Sequence, residues 1–145
     1  MTSALREATP ADLERLLDLD ERAAGERAWP ASAWVAVLET SDATVWLAGE
    51  DQTTGFLAVR WIADEGHVQT VGVVPEARRR GVARALLDQA ASEGRRRGVT
   101  AWLLEVRADN TSARALYENL GYAEVGRRPR YYACGTDAVL MTCKV

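Results

Sequence analysis

The sequence predicts a mixed α/β fold in which helices flank a central sheet, with the element order β-α-α-β-β-β-α-β-α-β-β. The middle of the chain holds short β-branched and aromatic runs between turn residues, and segments of helical periodicity lie on either side. One of these helices separates two apolar runs, which indicates a parallel strand pair joined by a helical crossover. The chain of 145 residues is expected to form a single domain, 1–145.

The first elements are predicted to be one strand and two helices. A short strand is expected at residues 4–8. Thr9 and Pro10 then provide a cap and a first helical residue, and leucines at helical spacing continue the helix to about Ala24. After a short loop, a second helix is expected over Ala31–Glu39.

Three β-rich runs follow, and turn signals at 51–55 and 64–66 separate them, so we expect an antiparallel meander. Glycines at 98 and 121 end the next two helices. The predicted elements are strands at 44–48, 55–62 and 67–74, a helix at 81–96, a strand at 101–106, a helix from 109–111 to 120, and strands at 123–127 and 138–144.

Composition excludes several classes of protein. No apolar run approaches the roughly 20 residues of a membrane span, and the N-terminus lacks the layout of a secretory signal. A cytoplasmic protein that binds no membrane is therefore expected. Cys134 and Cys143 are expected to be free thiols, and with His67 as the single histidine no metal site is predicted.

Charge is unevenly distributed along the chain. Residues 1–70 hold 13 acidic residues and 5 arginines, whereas residues 71–145 hold 8 acidic and 13 basic residues. The net charge of −3 argues against direct nucleic-acid binding. A basic half suits a small polyanion and an acidic half a cationic substrate, as in an enzyme that joins two unlike ligands.

The stretch VPEARRRGVARALL at residues 74–87 places arginines beside a glycine at the start of a helix. Free N–H groups and the helix dipole favour an anion there, and Gly81 allows a ligand close to the backbone. The pattern Arg78-x-x-Gly81-x-Ala83 is thus a candidate pyrophosphate site, although a solvated basic surface is an equal alternative. The second triplet, Arg95-Arg96-Arg97, lies at a helix C-terminus and is interpreted as structural.

This stretch resembles the acetyl-coenzyme A signature of the GCN5-related N-acetyltransferase (GNAT) superfamily, and the predicted element order resembles that fold. WLLEVRADNTSARALYENLGY at 102–122 resembles the RimI group, which acetylates the N-terminal α-amine of a small-subunit ribosomal protein. AWP near residue 29, DEGHVQTVGV at 64–73 and RPRYY at 128–132 extend the similarity. The resemblance implies an acetyltransferase domain whose cosubstrate is acetyl-coenzyme A and whose partner is a protein N-terminus, expected to be ribosomal.

The resemblance also implies which residues bind the coenzyme. A backbone N–H of the strand before the arginine loop, expected to be that of Val73, polarises the thioester, and the acetyl-pantetheine arm lies between two splayed parallel strands. The expected contacts are Val71, Val73, Arg78, Arg79, Arg80, Gly81, Val82, Ala83, Arg84, Asn110 and Tyr117. Asn110 also has the character of a helix cap.

Two side chains are candidates for catalysis. Glu105 near the end of an apolar strand is suited to remove a proton from the amine, and the alternative is a structural ion pair, for instance with Arg107. Tyr117, in an ALYxxLG context, is implied to protonate the coenzyme sulfur, and the alternative is an aromatic residue that only packs. His67 and Cys134 are not expected to be catalytic.

The substrate side is predicted less specifically. Tyr131 and Tyr132 are the main candidates for binding a peptide, with one of them touching the substrate, and Trp29 and Glu39 are weaker ones. A lysine or small-molecule amine remains an alternative acceptor, and a noncatalytic coenzyme A-binding module is an alternative of another class.

Overall fold

The computed structural model describes residues 4–50 and 52–145; residues 1–3 and Asp51, the first residue of the predicted turn at 51–55, lie outside them. The predicted order of strands and helices is confirmed. The elements are β1 (Leu5–Glu7), α1 (Leu13–Ala24), α2 (Ala31–Glu39), β2 (Ala43–Ala48), β3 (Gly55–Ile62), β4 (Glu65–Val73), α3 (Val82–Arg97), β5 (Ala101–Arg107), α4 (Thr111–Asn119), β6 (Ala123–Arg128) and β7 (Ala138–Lys144).

The strands form one seven-stranded sheet with the order β1-β2-β3-β4-β5-β7-β6. β4 and β5 pair in parallel across the α3 crossover, and the other neighbouring strands pair antiparallel. The antiparallel meander and the parallel pair predicted from the sequence are both present. The parallel pair lies in the middle of the sheet.

The parallel pairing is short, and the two strands separate beyond it. Residues Glu65 to His67 pair with residues Ala101 to Leu103, and no further pairs join β4 to β5. In β4, Gln69 is an extra residue, because Ala58 and Val59 of β3 pair with Thr70 and Val68. A bulge of this kind bends its strand. The result is a gap between the carboxyl ends of β4 and β5.

Two hydrophobic clusters hold the helices on opposite faces of the sheet. Strand residues contribute alternately to each cluster, so that Trp46 belongs to one and Leu47 to the other. Leu86 of α3 and Tyr117 of α4 pack in the first cluster. Leu16 of α1 and Trp34 of α2 pack in the second. The sheet therefore fixes both helix pairs relative to the gap.

Strand β4 begins two residues earlier than the sequence predicts. Glu65 and Gly66 were expected in a turn, but they pair with Ile62 and Trp61. Gly66 is needed there for packing, since a Cβ atom would lie 2.5 Å from the ring of Trp102. Gly72 likewise leaves room for Phe56, whose ring would be 2.4 Å from an added Cβ atom. In both cases a distant aromatic ring, rather than a turn or a ligand, accounts for the glycine within the fold.

Candidate active site

The loop between β4 and α3 exposes the start of α3. Arg79 and Gly81 both have left-handed backbone conformations, with φ of 64° and 79°. The first intrahelical hydrogen bond of α3 is donated by the Ala85 N–H to the Gly81 carbonyl, at 2.9 Å. The N–H groups of the three preceding helical residues therefore lack intrahelical partners. They are available to an anion, as the sequence pattern predicts.

Gly81 leaves this surface open. No atom lies within 4 Å of the position that a Cβ atom would occupy, so packing does not demand glycine. The positive φ does favour it, because a side chain in that conformation is strained. The loop thus combines free backbone donors with unobstructed space above them, which fits a phosphate group.

The side chain of Arg78 is bound elsewhere. Its Nε donates to the carbonyl of Val73 at 3.0 Å, and its Nη2 donates to the carbonyl of Ala23 at 2.9 Å. The guanidinium therefore ties the end of β4 to the end of α1. Arg79 and Arg80 are exposed beside it. Among the three arginines, Arg78 has a structural function that its place in the triplet does not reveal.

The free edge of β4 faces the gap. The N–H of Val74 donates to the carbonyl of Thr54 at 2.9 Å, on the β3 side. Successive residues of a strand direct their backbone polar groups to opposite sides, so those of Val73 and Val71 point toward β5. The Val73 carbonyl is the one that accepts from Arg78. Since β5 does not pair with this part of β4, the N–H groups of Val71 and Val73 face the gap.

Glu105 lies on the part of β5 that faces this gap. Leu104 and Val106 are buried, whereas Glu105 points to the other face of the strand, with 34% of its side chain exposed. The Nε of Arg128 donates to its Oε1 at 3.1 Å. The structural alternative from the sequence was an ion pair of Glu105, for instance with Arg107. An ion pair is present, but its partner is Arg128, because Arg107 pairs with Asp109.

Tyr117 is buried inside α4. Only 6% of its surface is exposed, and its ring lies 5.8 Å from that of Tyr122. Burial raises the pKa of its phenol to about 12. At the start of the same helix, Asn110 caps α4, since its side chain accepts from the N–H of Ala113 at 3.2 Å. The expected capping role of Asn110 is therefore confirmed.

Tyr131 and Tyr132 lie in the loop between β6 and β7 rather than in a strand. Tyr131 is 54% exposed, and the two rings are nearly perpendicular at 5.2 Å. Burial raises the pKa of Tyr132, and the charge of Glu105 raises it further. The guanidinium of Arg128, which pairs with Glu105, lies 5.7 Å from the centre of the Tyr131 ring, so the tyrosine pair and the predicted base lie close together.

Trp29 is held by Asp20, which was not among the predicted site residues. Asp20 is buried, and its Oδ2 accepts from the Trp29 N–H at 2.8 Å and from the Trp34 indole at 2.9 Å. Asp20 stood at an apolar position of the helical pattern, which was the available signal. A shallow hollow beside it is lined by Leu17, Glu21, Gly25, Glu26, Ala28 and Trp29.

The loop at 129–137 lies against the carboxyl end of β5, because Arg107 donates to Cys134 and Thr136 of that loop. The guanidinium of Arg107 also lowers the pKa of Asp109. Glu39, the weakest sequence candidate, is the last residue of α2.

One histidine and two cysteines are the other potentially reactive groups. His67 is 3.0 Å from Glu65 on β4. Cys134 and Cys143 are free thiols. The described ranges contain no group of three or more His, Cys, Asp or Glu side chains arranged to hold a metal ion. None of the described helices combines the length and apolar character that a membrane span demands.

A family model, described as the acetyltransferase (GNAT) family, matches residues 4–122. The chain belongs to the GNAT acetyltransferase family. A GNAT relative from Mycobacterium leprae, an uncharacterized protein, is 38% identical over 92% of this chain, which spans 38% of that protein's length. The [ribosomal protein bS18]-alanine N-acetyltransferase of Salmonella typhimurium is 36% identical over 68% of this chain and 69% of its own.

Solved structures share the GNAT fold across the whole chain. The ribosomal-protein-S18-alanine N-acetyltransferase of Escherichia coli superposes with a TM-score of 0.92 at 28% identity, covering 99% of this chain and 94% of its own. Arabidopsis thaliana NAA60, solved in complex with acetyl-CoA, has a TM-score of 0.86 at 22% identity and covers 99% of each chain. The fold and the acetyltransferase class predicted from the sequence are confirmed.

Proposed function

We propose that this GNAT enzyme transfers the acetyl group of acetyl-coenzyme A to the N-terminal α-amine of a protein, with a small-subunit ribosomal protein as the first candidate. The observation that carries the proposal is the position of Glu105. Its carboxylate lies on the strand that borders the β4–β5 gap and pairs with Arg128, whose guanidinium lies 5.7 Å from the Tyr131 ring in the adjoining loop. The similarity to enzymes named for the N-terminal alanine of a ribosomal protein supports the choice of acceptor.

The start of α3 and the free edge of β4 fit the two ends of the coenzyme. Backbone donors of Val82, Ala83 and Arg84 would hold the pyrophosphate over the open Gly81, with Arg79 and Arg80 adding positive potential. The N–H groups of Val71 and Val73 would bind the acetyl-pantetheine portion in the gap. The coenzyme supplies a reactive thioester, and a fixed backbone N–H at its carbonyl oxygen stabilises the charge that develops there.

Glu105 is proposed as the general base. An α-amine has a pKa of about 8, so at neutral pH most of it is protonated and unreactive. A carboxylate beside the acceptor removes this proton, either directly or through one water molecule. In the free protein, Arg128 pairs with the Glu105 carboxylate. The Arg128 side chain is half exposed, so the ammonium group of the substrate can displace it.

Tyr117 is proposed as the general acid for the leaving thiolate. Its pKa of about 12 keeps the phenol protonated at any working pH. Burial disfavours the charged form of both the phenol and a thiolate, so the leaving sulfur needs a proton donor within the site. The protonated phenol can donate a hydrogen bond to this sulfur and deliver its proton as the C–S bond breaks. Asn110 holds the start of the same helix.

The proposed function is tested by the choice of acceptor. The protein is incubated with acetyl-coenzyme A and three sets of amines: peptides with free N-termini and no lysine, N-terminally blocked lysine peptides, and small amines. We expect thiol release and acetylation with the first set, including a peptide of a small-subunit ribosomal protein N-terminus. Turnover confined to lysine peptides or small amines would overturn the proposed acceptor. Coenzyme binding without turnover in any set would overturn the proposed catalysis.

The proposal also includes a cytoplasmic location for the protein.

A further inference from the structure

Arg107 is the last residue of β5 and lies two residues beyond Glu105. Residues separated by two positions in a strand point to the same face, so Arg107 and Glu105 share the face that borders the tyrosine loop. The Arg107 side chain is only 17% exposed. A cation this well covered normally has several partners, because an unpaired buried charge is costly.

The first set of contacts joins β5 to the start of α4. The Nε of Arg107 donates to Oδ1 of Asp109 at 3.1 Å, and its Nη2 donates to Oδ2 at 3.0 Å. This two-point pairing fixes the plane of the guanidinium. Asp109 precedes Asn110, the cap of α4, so the pairing also sets the path of the chain between the strand and the helix.

The second set of contacts joins the same guanidinium to the loop at 129–137. Nη2 donates to the sulfur of Cys134 at 3.2 Å and to Oγ1 of Thr136 at 3.4 Å. The guanidinium carbon also lies 5.0 Å from the centre of the Tyr132 ring. A planar, delocalised cation can pair with a carboxylate at two points and stack on an aromatic face at the same time, whereas a lysine ammonium lacks both the fork and the flat face.

We infer that Arg107 is a positioning residue for the acceptor site, which holds the loop of Tyr131 and Tyr132 against the strand that carries Glu105. One residue thereby sets the distance between the base and the aromatic side of the site. The role in acceptor binding rests on the proposed function, in which this loop contacts the peptide. The positioning of the loop itself does not depend on it.

The test compares Arg107→Lys and Arg107→Gln with the parent protein by hydrogen exchange and by steady-state kinetics. Exchange should accelerate by roughly tenfold at the amides of Tyr132 and Gly135, which donate within the loop. The KM for the peptide should rise by roughly tenfold, with KM for acetyl-coenzyme A and exchange in α3 unchanged. Arg96→Gln, which breaks a pair with Glu93 on α3, is the matched control and should change neither quantity.

Two results would overturn the inference: unchanged exchange in the loop, or equal increases in KM for both substrates together with faster exchange throughout the protein. If the parent protein acetylates no α-amine, the proposed function fails, while faster exchange confined to the loop still supports the positioning role.

Should Arg107→Gln fail to fold, Thr136→Val is the second variant. It removes one hydrogen-bond acceptor of Arg107 and leaves the cation in place. Its loop amides should also exchange faster, and unchanged exchange there would contradict the inference.

Discussion

Among single residues, Glu105 is the one whose charge should govern the pH dependence of the reaction. Glu105→Gln removes the proposed base but keeps the shape of the side chain. We expect kcat/KM to fall by about 100-fold or more near neutral pH, since general base catalysis typically contributes that much. The deficit should shrink as pH rises through about 8, where the α-amine loses its proton without help.

The control for Glu105→Gln is Glu124→Gln. Glu124 is also a strand glutamate paired with an arginine, Arg127, at 2.9 Å. Loss of that surface pair should leave the pH–rate profile unchanged. A deficit for Glu105→Gln that is equally large at pH 6 and pH 9 would show that the carboxylate does not accept the proton.

Tyr117 permits a second comparison between neighbouring residues. Tyr117→Phe should lower kcat by about 100-fold, because it removes the proton donor for the thiolate, and should leave the affinity for coenzyme unchanged. Tyr122→Phe is the matched control, since its ring is also buried and packs against Tyr117 at 5.8 Å. Equal turnover in the two variants, measured by thiol release, would exclude Tyr117 as the acid.

At the scale of elements, the two ends of α3 separate the effect of charge from that of helix polarity. Both ends carry three arginines and a glycine with nearly the same φ, 79° at Gly81 and 78° at Gly98, and neither glycine has an atom near its missing Cβ. At the C-terminal end, Arg96 and Arg97 pair with Glu93, which supports the structural interpretation of that triplet. The N-terminal end keeps free N–H donors.

Gly81→Ala and Gly98→Ala should therefore have the same effect on stability and different effects on the coenzyme. Each should cost about 1 kcal/mol in the free energy of unfolding, from left-handed strain alone. Only Gly81→Ala should raise the KM for acetyl-coenzyme A, because its methyl group intrudes where the pyrophosphate approaches the backbone. Denaturant unfolding and initial rates measure the two quantities. Equal KM values in both variants would place the phosphates elsewhere.

The elements themselves were largely predictable from the sequence because periodicity and turn residues are local signals. α2 and β3 have the predicted limits, whereas β4 was predicted to begin at His67 and begins at Glu65. Gly66 follows Asp64 and Glu65, a pattern typical of a turn, and only the ring of Trp102, 36 positions away, explains the glycine inside a strand. The local sequence therefore indicated a turn, because it does not identify the distant side chain responsible.

At the scale of the whole molecule, the site also contains residues that local sequence patterns predict and residues that only long-range contacts reveal. Glu105, Tyr117 and the start of α3 were predicted as site residues because they lie in contiguous motifs. Asp20, Arg107 and the Arg128–Glu105 pair were missed, because each acts across loops or strands that the sequence does not align. The partner wrongly expected for Glu105 was the nearby Arg107, whereas the observed partner is on β6. Reasoning from the sequence favoured a partner that is close along the chain over a partner that the sheet brings close in space.

The pair of Arg6 and Asp12 connects the edge of the sheet to the start of α1 and makes the stability of the whole fold dependent on pH. The hydrogen-bonded Arg6 guanidinium lowers the pKa of Asp12 from 3.8 to about 2, against the opposing effect of burial. The Asp12 side chain is 11% exposed, and it also accepts from the N–H of Thr9 at 2.9 Å. Its charged form is therefore stabilised only in the folded protein.

Because the folded pKa is depressed, this stabilisation is present above about pH 4 and is lost as pH falls toward about 2. The shift corresponds to roughly 2 kcal/mol. Asp12→Asn should lower the free energy of unfolding by about that amount at pH 7, and the free energies of unfolding of the two proteins should converge near pH 2.

Asp18→Asn is the control: Asp18 is exposed and 3.7 Å from Arg22, so its loss should cost under about 1 kcal/mol. Urea unfolding at several pH values measures these differences. A constant gap between the parent protein and Asp12→Asn down to pH 2 would show that burial, rather than the ion pair, determines the contribution of this residue.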